Sequence, residues 1–371
     1  MLCDARGSIR PMLRMASSLG PWVRSVGTAL PANWVDQETL IATFRAHWAR
    51  EHFNVERIEE LHRSVQVGGR YLALPLEEYL PLERFSDRND AWARVSVDLG
   101  EQAVRRALDA AGLTPQDVDH LFFVTVTGIA TPSLDARLMN RMGLRPDVKR
   151  TPIFGLGCVA GAAGTARAAD VLRAFPDEVA VMLSVELCSL TLQRDDLSIP
   201  NIIASGLFGD GAAALVLSGA GRPPGSPAPQ VLATRSVFYP DSERVMGWDV
   251  VEGGFKVVLS AKVPALVTEH VRGDVDDFLR AQGLRRKDVR HWIAHTGGPR
   301  VLDAFQTALE LPPQALQRSW ASLRETGNLS SASVLFVLAE LLASGETRSG
   351  DLGLMMAMGP GFCAELVLLK W

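Results

Sequence analysis

One short pattern occurs twice in this chain, and that repetition limits the fold more than any other feature. Residues 112–120 read GLTPQDVDH and residues 283–291 read GLRRKDVRH, so both contain G-L-x-x-x-D-V-x-H. Each copy follows a helical pattern. Leu99, Ala103, Val104, Ala107, Leu108 and Ala111 share one helix face, and Val267, Val271, Val275, Phe278 and Leu279 share another. Gly112 and Gly283 then stand where a left-handed helix cap is expected. A strand-like run follows each copy, LFFVTVTG from Leu121 and WIAHTGG from Trp292. Further on, GDGAAALVL (209–217) echoes GPGFCAELVL (359–368), in each case a glycine turn feeding a buried strand. Between the echoes each half carries a helix behind a glycine, one opening at Cys158 and the other near Asn328.

The order helix, strand, helix, strand, met twice, predicts two related α/β halves, residues 22–220 and 228–371. The Pro/Gly/Ser stretch at 219–230 joins them. With 47% apolar and 22% charged residues the chain can fill a large core. Stacking two such halves brings equivalent helix N-termini to one seam, where duplicated folds tend to carry their site. Residues 1–20 read as a loose extension, because Arg6, Arg10 and Arg14 precede no apolar stretch of signal-peptide length. No apolar run is long enough to span a membrane, and a net charge of −4 gives no nucleic-acid footprint. The expected compartment is the cytoplasm. Cys3, Cys158, Cys188 and Cys363 form no C-x-x-C pair, so neither a disulfide framework nor a metal site is expected.

Three residues could carry chemistry. Cys158 lies in F-G-L-G-C-V-A-G-A-A-G at the start of a small-residue helix, and a helix N-terminus lowers a thiol's pKa. Alone it reads equally well as an inert buried cysteine. His295 lies in W-I-A-H-T-G-G-P, where an apolar strand runs into a glycine loop. The other histidines, His47, His52, His62, His120, His270 and His291, read as surface or capping residues. Asn328 precedes a helix expected over 329–343, so it reads as an N-cap or as an amide donor to an oxyanion. Together the three fit thiolate attack on a carbonyl with stabilisation of the oxyanion that forms. A papain-like protease would use the same letters, but its C-G-S-C-W signature is absent.

These segments resemble type III polyketide synthases, the chalcone synthase superfamily with the thiolase fold. The likeness runs from about Val26 to the C-terminus. It is carried by SVGTALP (25–31), GRYLALPLEEY (69–79), GLGCVAGAAG, VELCSLTLQRDD (185–196), FGDGAAALVL, WIAHTGGPRVLD (292–303), GNLSSASVLFVL and MGPGF (358–362). H-T-G-G-P differs from the H-Q-A-N of the β-ketoacyl-ACP synthase III branch, and Asn328 argues against the hydroxymethylglutaryl-CoA synthase branch.

The resemblance implies an α/β thiolase-like fold of two duplicated αβαβα halves in five layers. It implies an acyltransferase in which Cys158 is the nucleophile, His295 and Asn328 line the oxyanion hole, Phe208 is a gatekeeper and Ser330 lies near the reactive centre. Val257, with Phe255 as the other candidate, replaces the second aromatic gatekeeper of plant enzymes. Arg57 matches one position of the basic CoA cluster while Glu60 and Ser64 replace others, and Arg300 adds a charge. E-L-C-S-L-T-L-Q-R-D-D looks like bacterial relatives that make alkylpyrones or alkylresorcinols from fatty acyl starters. Cys188 and Thr191 would then line an acyl tunnel. The expected substrates are acyl-CoA and malonyl-CoA, with an acyl carrier protein as a second starter donor, and no metal or organic cofactor is required. A homodimer is expected in which the loop 127–133 reaches across and Thr131 borders the partner's cavity. The alternatives are a β-ketoacyl-ACP synthase III-like enzyme that condenses once and a non-catalytic acyl-binding protein.

Overall fold

A computed structural model describes residues 20–48 and 55–371. The expected extension at residues 1–20 lies almost wholly outside them.

The duplication is visible in the sheet. In the first half the strands run, from the edge inward, Lys149–Phe154, His120–Thr125, Val179–Leu187, Asp210–Ser218 and Trp22–Ala29. In the second they run His291–Ala294, Leu352–Gly359, Cys363–Lys370 and Gln230–Phe238. The pairing repeats as well. His120–Thr125 is parallel to Val179–Leu187, which is antiparallel to Asp210–Ser218, and His291–Ala294, Leu352–Gly359 and Cys363–Lys370 repeat that sequence. The two half-sheets meet only where Trp22 pairs with Gln230.

Three apolar clusters show why the halves stack. One lies between them, built on the helices Ala160–Ala174 and Ser333–Ala343 with the inward faces of both half-sheets. The other two lie outside. Helix Phe85–Ala111 covers the first half-sheet, and helices Val263–Ala281 and Pro299–Ala308 cover the second. Helix, sheet, paired helices, sheet, helix makes the expected five layers. The first central helix buries most of its surface with alanine and glycine and leaves Arg167, Asp170 and Arg173 on its exposed side. A Cβ at Gly161 would sit 2.2 Å from the Ser331 carbonyl oxygen, so glycine there lets the two central helices touch.

Gly112 and Gly283 have left-handed φ of 65° and 74°, as the repeat requires. Both central helices begin one turn later than the sequence suggests. A 3-10 turn, Gly157–Val159, precedes the first, and another, Ser330–Ala332, precedes the second. The repeat therefore extends to the geometry of the two helix entries.

The histidine reading needs correction. His62, His120 and His291 are buried. His62 meets the Ile202 carbonyl and the Ser205 hydroxyl, His120 meets Glu178, and His291 meets Asp351 at 3.0 Å. Their partners come from segments distant in the sequence, so the local context did not show that burial would be satisfied. The side chains of His47 and His52 lie outside the described residues.

Candidate active site

The seam between the two central helices collects the chemistry. Gly157, at φ +55°, turns the chain into the 3-10 turn that carries Cys158. A Cβ there would lie 2.8 Å from the Pro360 ring, so only glycine lets the turn at 359–362 come beside the thiol. Gly327, at φ +72°, makes the matching turn into Asn328. The Asn328 backbone N–H donates to the Leu207 carbonyl (2.9 Å), and its carbonyl accepts from Gly209 N–H (3.0 Å), which holds it against Phe208. Its side-chain Oδ1 accepts from the Ser330 N–H (2.8 Å) and the Ser333 hydroxyl (3.4 Å). Asn328 is not the cap of the following helix, which starts at Ser333 behind Ala332; its side-chain oxygen instead braces the turn before it, and its amide donor end is left for the chamber. Ser330 sits at φ +49°, an uncommon conformation for a non-glycine residue that this bond supports. His295 follows the strand His291–Ala294, and its backbone N–H donates to the Met356 carbonyl at 2.9 Å.

Cys158, His295, Asn328, Ser330 and Phe208 line one chamber of about 50 Å³. The Cys158 thiol donates to the Ser330 hydroxyl at 3.7 Å. Neither ring nitrogen of His295 has a partner, although the residue is buried. Burial pushes His295 down to about 4, so the imidazole is neutral near pH 7. Burial also pushes the Cys158 thiol up to about 12, helped by the carboxyl of Glu186 and opposed by the Ser330 hydroxyl. Burial thus acts against the lowered thiol pKa expected from the helix entry.

The sequence reading missed the support behind the thiol. Glu186 is fully buried and accepts from Val126 N–H (3.0 Å), Thr127 Oγ1 (3.0 Å), Ser330 Oγ (3.3 Å) and the Ser331 hydroxyl. It ties the 127–133 loop to the helix entry beside Asn328. A glutamate inside the apolar strand AVMLSVEL was the available signal, since a charge almost never stands there without partners.

A second chamber of about 510 Å³ opens beyond the first. Phe208, Cys188, Trp248 and Val257 line both. Thr191 lines only the deeper one, and its hydroxyl donates to the Cys188 carbonyl at 2.8 Å. Of the two gatekeeper candidates, Val257 faces the chambers, while Phe255 packs against Phe85 with ring centroids 5.3 Å apart. Trp248 was missed, because an aromatic in the half-exposed strand MGWDVV carries no local sign of function. Arg70, Arg88 and Arg194 also line the deep chamber and were not singled out.

Three named residues stand elsewhere. Thr131 is exposed on the loop after His120–Thr125, Arg57 is exposed and ion-paired with Glu60 at 2.9 Å, and Arg300 is exposed at the start of helix Pro299–Ala308. A larger crevice, about 960 Å³, surrounds Arg290 at the far end of the His291–Ala294 strand and contains none of the reactive residues. Size alone does not locate the chemistry here. Among the described residues no group of His, Cys, Asp and Glu is arranged for a metal, and no helix is long and apolar enough to cross a membrane.

A cysteine at one central helix entry, facing a histidine and an asparagine contributed by the other half of a duplicated five-layer fold, defines the thiolase-like class. Comparison narrows this. Residues 14–222 match the family described as chalcone and stilbene synthases, N-terminal domain, and residues 230–371 match its C-terminal domain. A 1,3,6,8-tetrahydroxynaphthalene synthase of Streptomyces peucetius subsp. caesius is 50% identical over 95% of this chain and 93% of its own. A putative chalcone synthase of Bacillus subtilis is 36% identical over 94% and 98%. The crystal structure of 1,3,6,8-tetrahydroxynaphthalene synthase from Streptomyces coelicolor, a bacterial type III polyketide synthase, superposes with a TM-score of 0.90 at 33% identity, covering 94% of this chain and 99% of that one. The chain belongs to the chalcone and stilbene synthase family, the type III polyketide synthases, and is an acyl-transferring enzyme.

Proposed function

We propose that this synthase builds an oxygen-rich polyketide from malonyl-CoA and closes it to a polyhydroxylated aromatic ring. The observation that carries the reading is the wall of the deep chamber, which among the described residues has three arginines and no aspartate or glutamate. A fatty tail offers such a wall nothing, whereas a chain with oxygen on alternate carbons offers acceptors along its length. The naphthalene named for the 50% identical relative has that pattern: its ten ring carbons and alternating oxygens correspond to five joined two-carbon units.

In the proposed cycle Cys158 passes its proton to His295, and the thiolate attacks the starter thioester. The CoA thiol leaves with the proton from His295. Malonyl-CoA then enters, its C–CO2 bond breaks, and CO2 departs. The electron pair remains as an enolate held by N–H groups of neutral His295 and Asn328. The enolate carbon attacks the acyl group on Cys158, and the thiolate is released with the chain two carbons longer on CoA. A helix end and an unpartnered imidazole in a chamber of about 50 Å³ suit this work, since donors act strongly where water is excluded. No cofactor enters the scheme. The starter reaches the chamber as a CoA thioester or on a carrier protein.

A long acyl starter leading to an alkylpyrone or alkylresorcinol is a second reading. It is favoured by the apolar far wall of the deep chamber, Leu40, Phe44, Leu72, Leu76 and Leu80. Cys188 and Thr191 line the chamber in either case. A homodimer joined through the 127–133 loop fits Ile129, which is 51% exposed next to the Thr131 segment.

Mass spectrometry of products made from malonyl-CoA alone, and with starters from acetyl-CoA to stearoyl-CoA, tests the proposal. Malonyl-CoA alone should yield the aromatic product. Products that form only with a fatty starter and retain its alkyl chain would select the second reading.

A further inference from the structure

Arg70 is among the most completely buried large side chains of the protein, 2% exposed, in the strand Gly69–Leu72. Its Nη2 donates to the Ser205 carbonyl, but Nε and Nη1, with three of the five N–H donors, have no partner. Burial lowers its pKa only to about 10, and Asp210 supports the charge, so the guanidinium is positive near pH 7. Asp210 does not take up the free donors. Its oxygens are already bonded to Ala73 N–H (2.6 Å), Ser189 N–H (2.8 Å) and the Ser189 hydroxyl. The other two arginines are used differently. Arg88 is bonded through Nη1 to the Leu82 and Glu83 carbonyls and through Nη2 to Gly253, while Arg194 holds the carbonyls of Tyr79 and Leu80. Both are fastened to loops. Arg70 alone among the three keeps one whole terminal nitrogen and Nε unengaged at the wall of a cavity large enough for a small-molecule ligand, since such sites span roughly 300–1,000 Å³.

A buried charge with open donors is unfavourable unless something completes it. We propose that Arg70 is the anchor of an anion subsite in the deep chamber, which holds the carboxylate or terminal β-keto oxygens of the malonyl-primed chain while Cys158 and the enolate extend its other end. The subsite rests on the malonyl-CoA reading above and adds to it a residue that chooses the starter. Arg70 touches the chain's remote end, so it sets which chains are held and how long they grow. It does not take part in forming the bond. The Tyr79 and Ser189 hydroxyls, 2.6 Å apart on the same wall, complete a polar corner opposite the apolar far side.

Arg70→Met removes the charge and keeps an unbranched side chain, and Arg70→Lys keeps the charge. Both are assayed as full chains for products primed by malonyl-CoA alone and by hexanoyl-CoA with malonyl-CoA. The expected result is at least a tenfold loss of malonyl-primed product in the Met variant, hexanoyl-primed product within threefold of wild type, and partial rescue by Lys. Equal losses with both primers, or no loss with either, overturn the assignment. If the Met variant does not fold, the wild-type protein decides. Its melting temperature should rise with millimolar 3-oxoglutarate, a β-keto dicarboxylate, and not with the neutral dimethyl ester. No difference between dianion and ester overturns the subsite. The two proposals fail separately: wild-type protein that makes nothing from malonyl-CoA alone defeats the malonyl reading, while the thermal shift still reports on Arg70.

Discussion

The reactive chamber holds about 50 Å³ and, among the described residues, has on its wall no Asp, Glu, Lys or Arg and one histidine, His295, which is neutral near pH 7, while the deep chamber beside it holds about 510 Å³ and three arginines. They share Phe208, Cys188, Trp248 and Val257. The difference separates two tasks. A thioester exchange and a decarboxylation need a dry space with a few aimed donors, because each donor is stronger where water is absent. Storing a growing chain needs volume and polar groups matched to that chain.

The largest expected effect lies in the first chamber. Cys158→Ala should abolish starter loading and all product, whatever the primer. The stability change should stay within about 1 kcal/mol, because a small group is exchanged for a small group. Intact-mass spectrometry of acylated protein with a product assay checks both. Full-length product from this variant would remove the reactive role from this chamber altogether.

The sequence exposed the first chamber and hid the second for a physical reason. Cys158 and Asn328 stand at equivalent entries of a duplicated helix, and each entry needs a glycine just before it, Gly157 and Gly327. Position, repeat and chemistry coincide within a few residues, and His295 follows a strand that the repeat also marks. The deep chamber has no such local order. Arg70, Arg88, Arg194 and Trp248 come from a short strand, a long helix, a loop and a hairpin strand, and only tertiary packing gathers them. Cys188 and Thr191 were found through the family resemblance. The polarity of the wall around them was not found, and it now weighs against a purely apolar tunnel. The sequence also left out what burial does to the thiol, since a helix N-terminus is readable in letters and full burial, which raises the thiol pKa, is not.

That omission gives the next test. With the Cys158 thiol pushed up to about 12, the thiolate fraction rises as pH rises. Iodoacetamide labelling of wild-type Cys158 should therefore climb about tenfold per pH unit between pH 7 and 9 without a plateau. His295→Gln should slow labelling further near neutrality, since its neutral imidazole, with a pKa near 4, is the base available in the chamber. A plateau reached by pH 7 would mean a preformed thiolate–imidazolium pair and would restore the lowered thiol pKa.

Cys188→Phe acts where the chambers meet. Cys188 is buried and lines both, so a phenyl ring there should close the passage at an overpacking cost of about 1–3 kcal/mol. Products should shift at least tenfold from full length to short chains released early, with malonyl-CoA decarboxylation retained. A lowered melting temperature with every activity reduced alike would mark Cys188 as a core residue only. Unchanged stability with unchanged product length would show that the growing chain does not pass this point.

The smallest effect expected is also the one that most directly asks what the deep chamber is for. The Tyr79 hydroxyl donates to Ser189 Oγ (2.6 Å) and accepts from Leu74 N–H (3.3 Å), and the Ser189 hydroxyl donates to the Asp210 carboxylate. Tyr79→Phe removes the first hydroxyl of this relay and leaves the ring in place. Losing the bonds should cost about 0.5–1.5 kcal/mol of stability, because Leu74 N–H loses an acceptor while Ser189 keeps its carboxylate. If the chamber stores an oxygen-rich chain, the variant loses one hydroxyl of the polar corner next to Arg70. Full-length aromatic product should then fall by a few-fold relative to shorter products. If the chamber stores a fatty tail, the same change makes the wall more apolar, and turnover with palmitoyl-CoA should stay level or rise. Product ratios from parallel malonyl-primed and palmitoyl-primed reactions, normalised to the folded fraction from thermal melts, therefore move in opposite directions under the two readings. A fall confined to the malonyl-primed reaction supports the polar chamber, and a rise confined to the palmitoyl-primed one returns the deep chamber to an acyl tunnel.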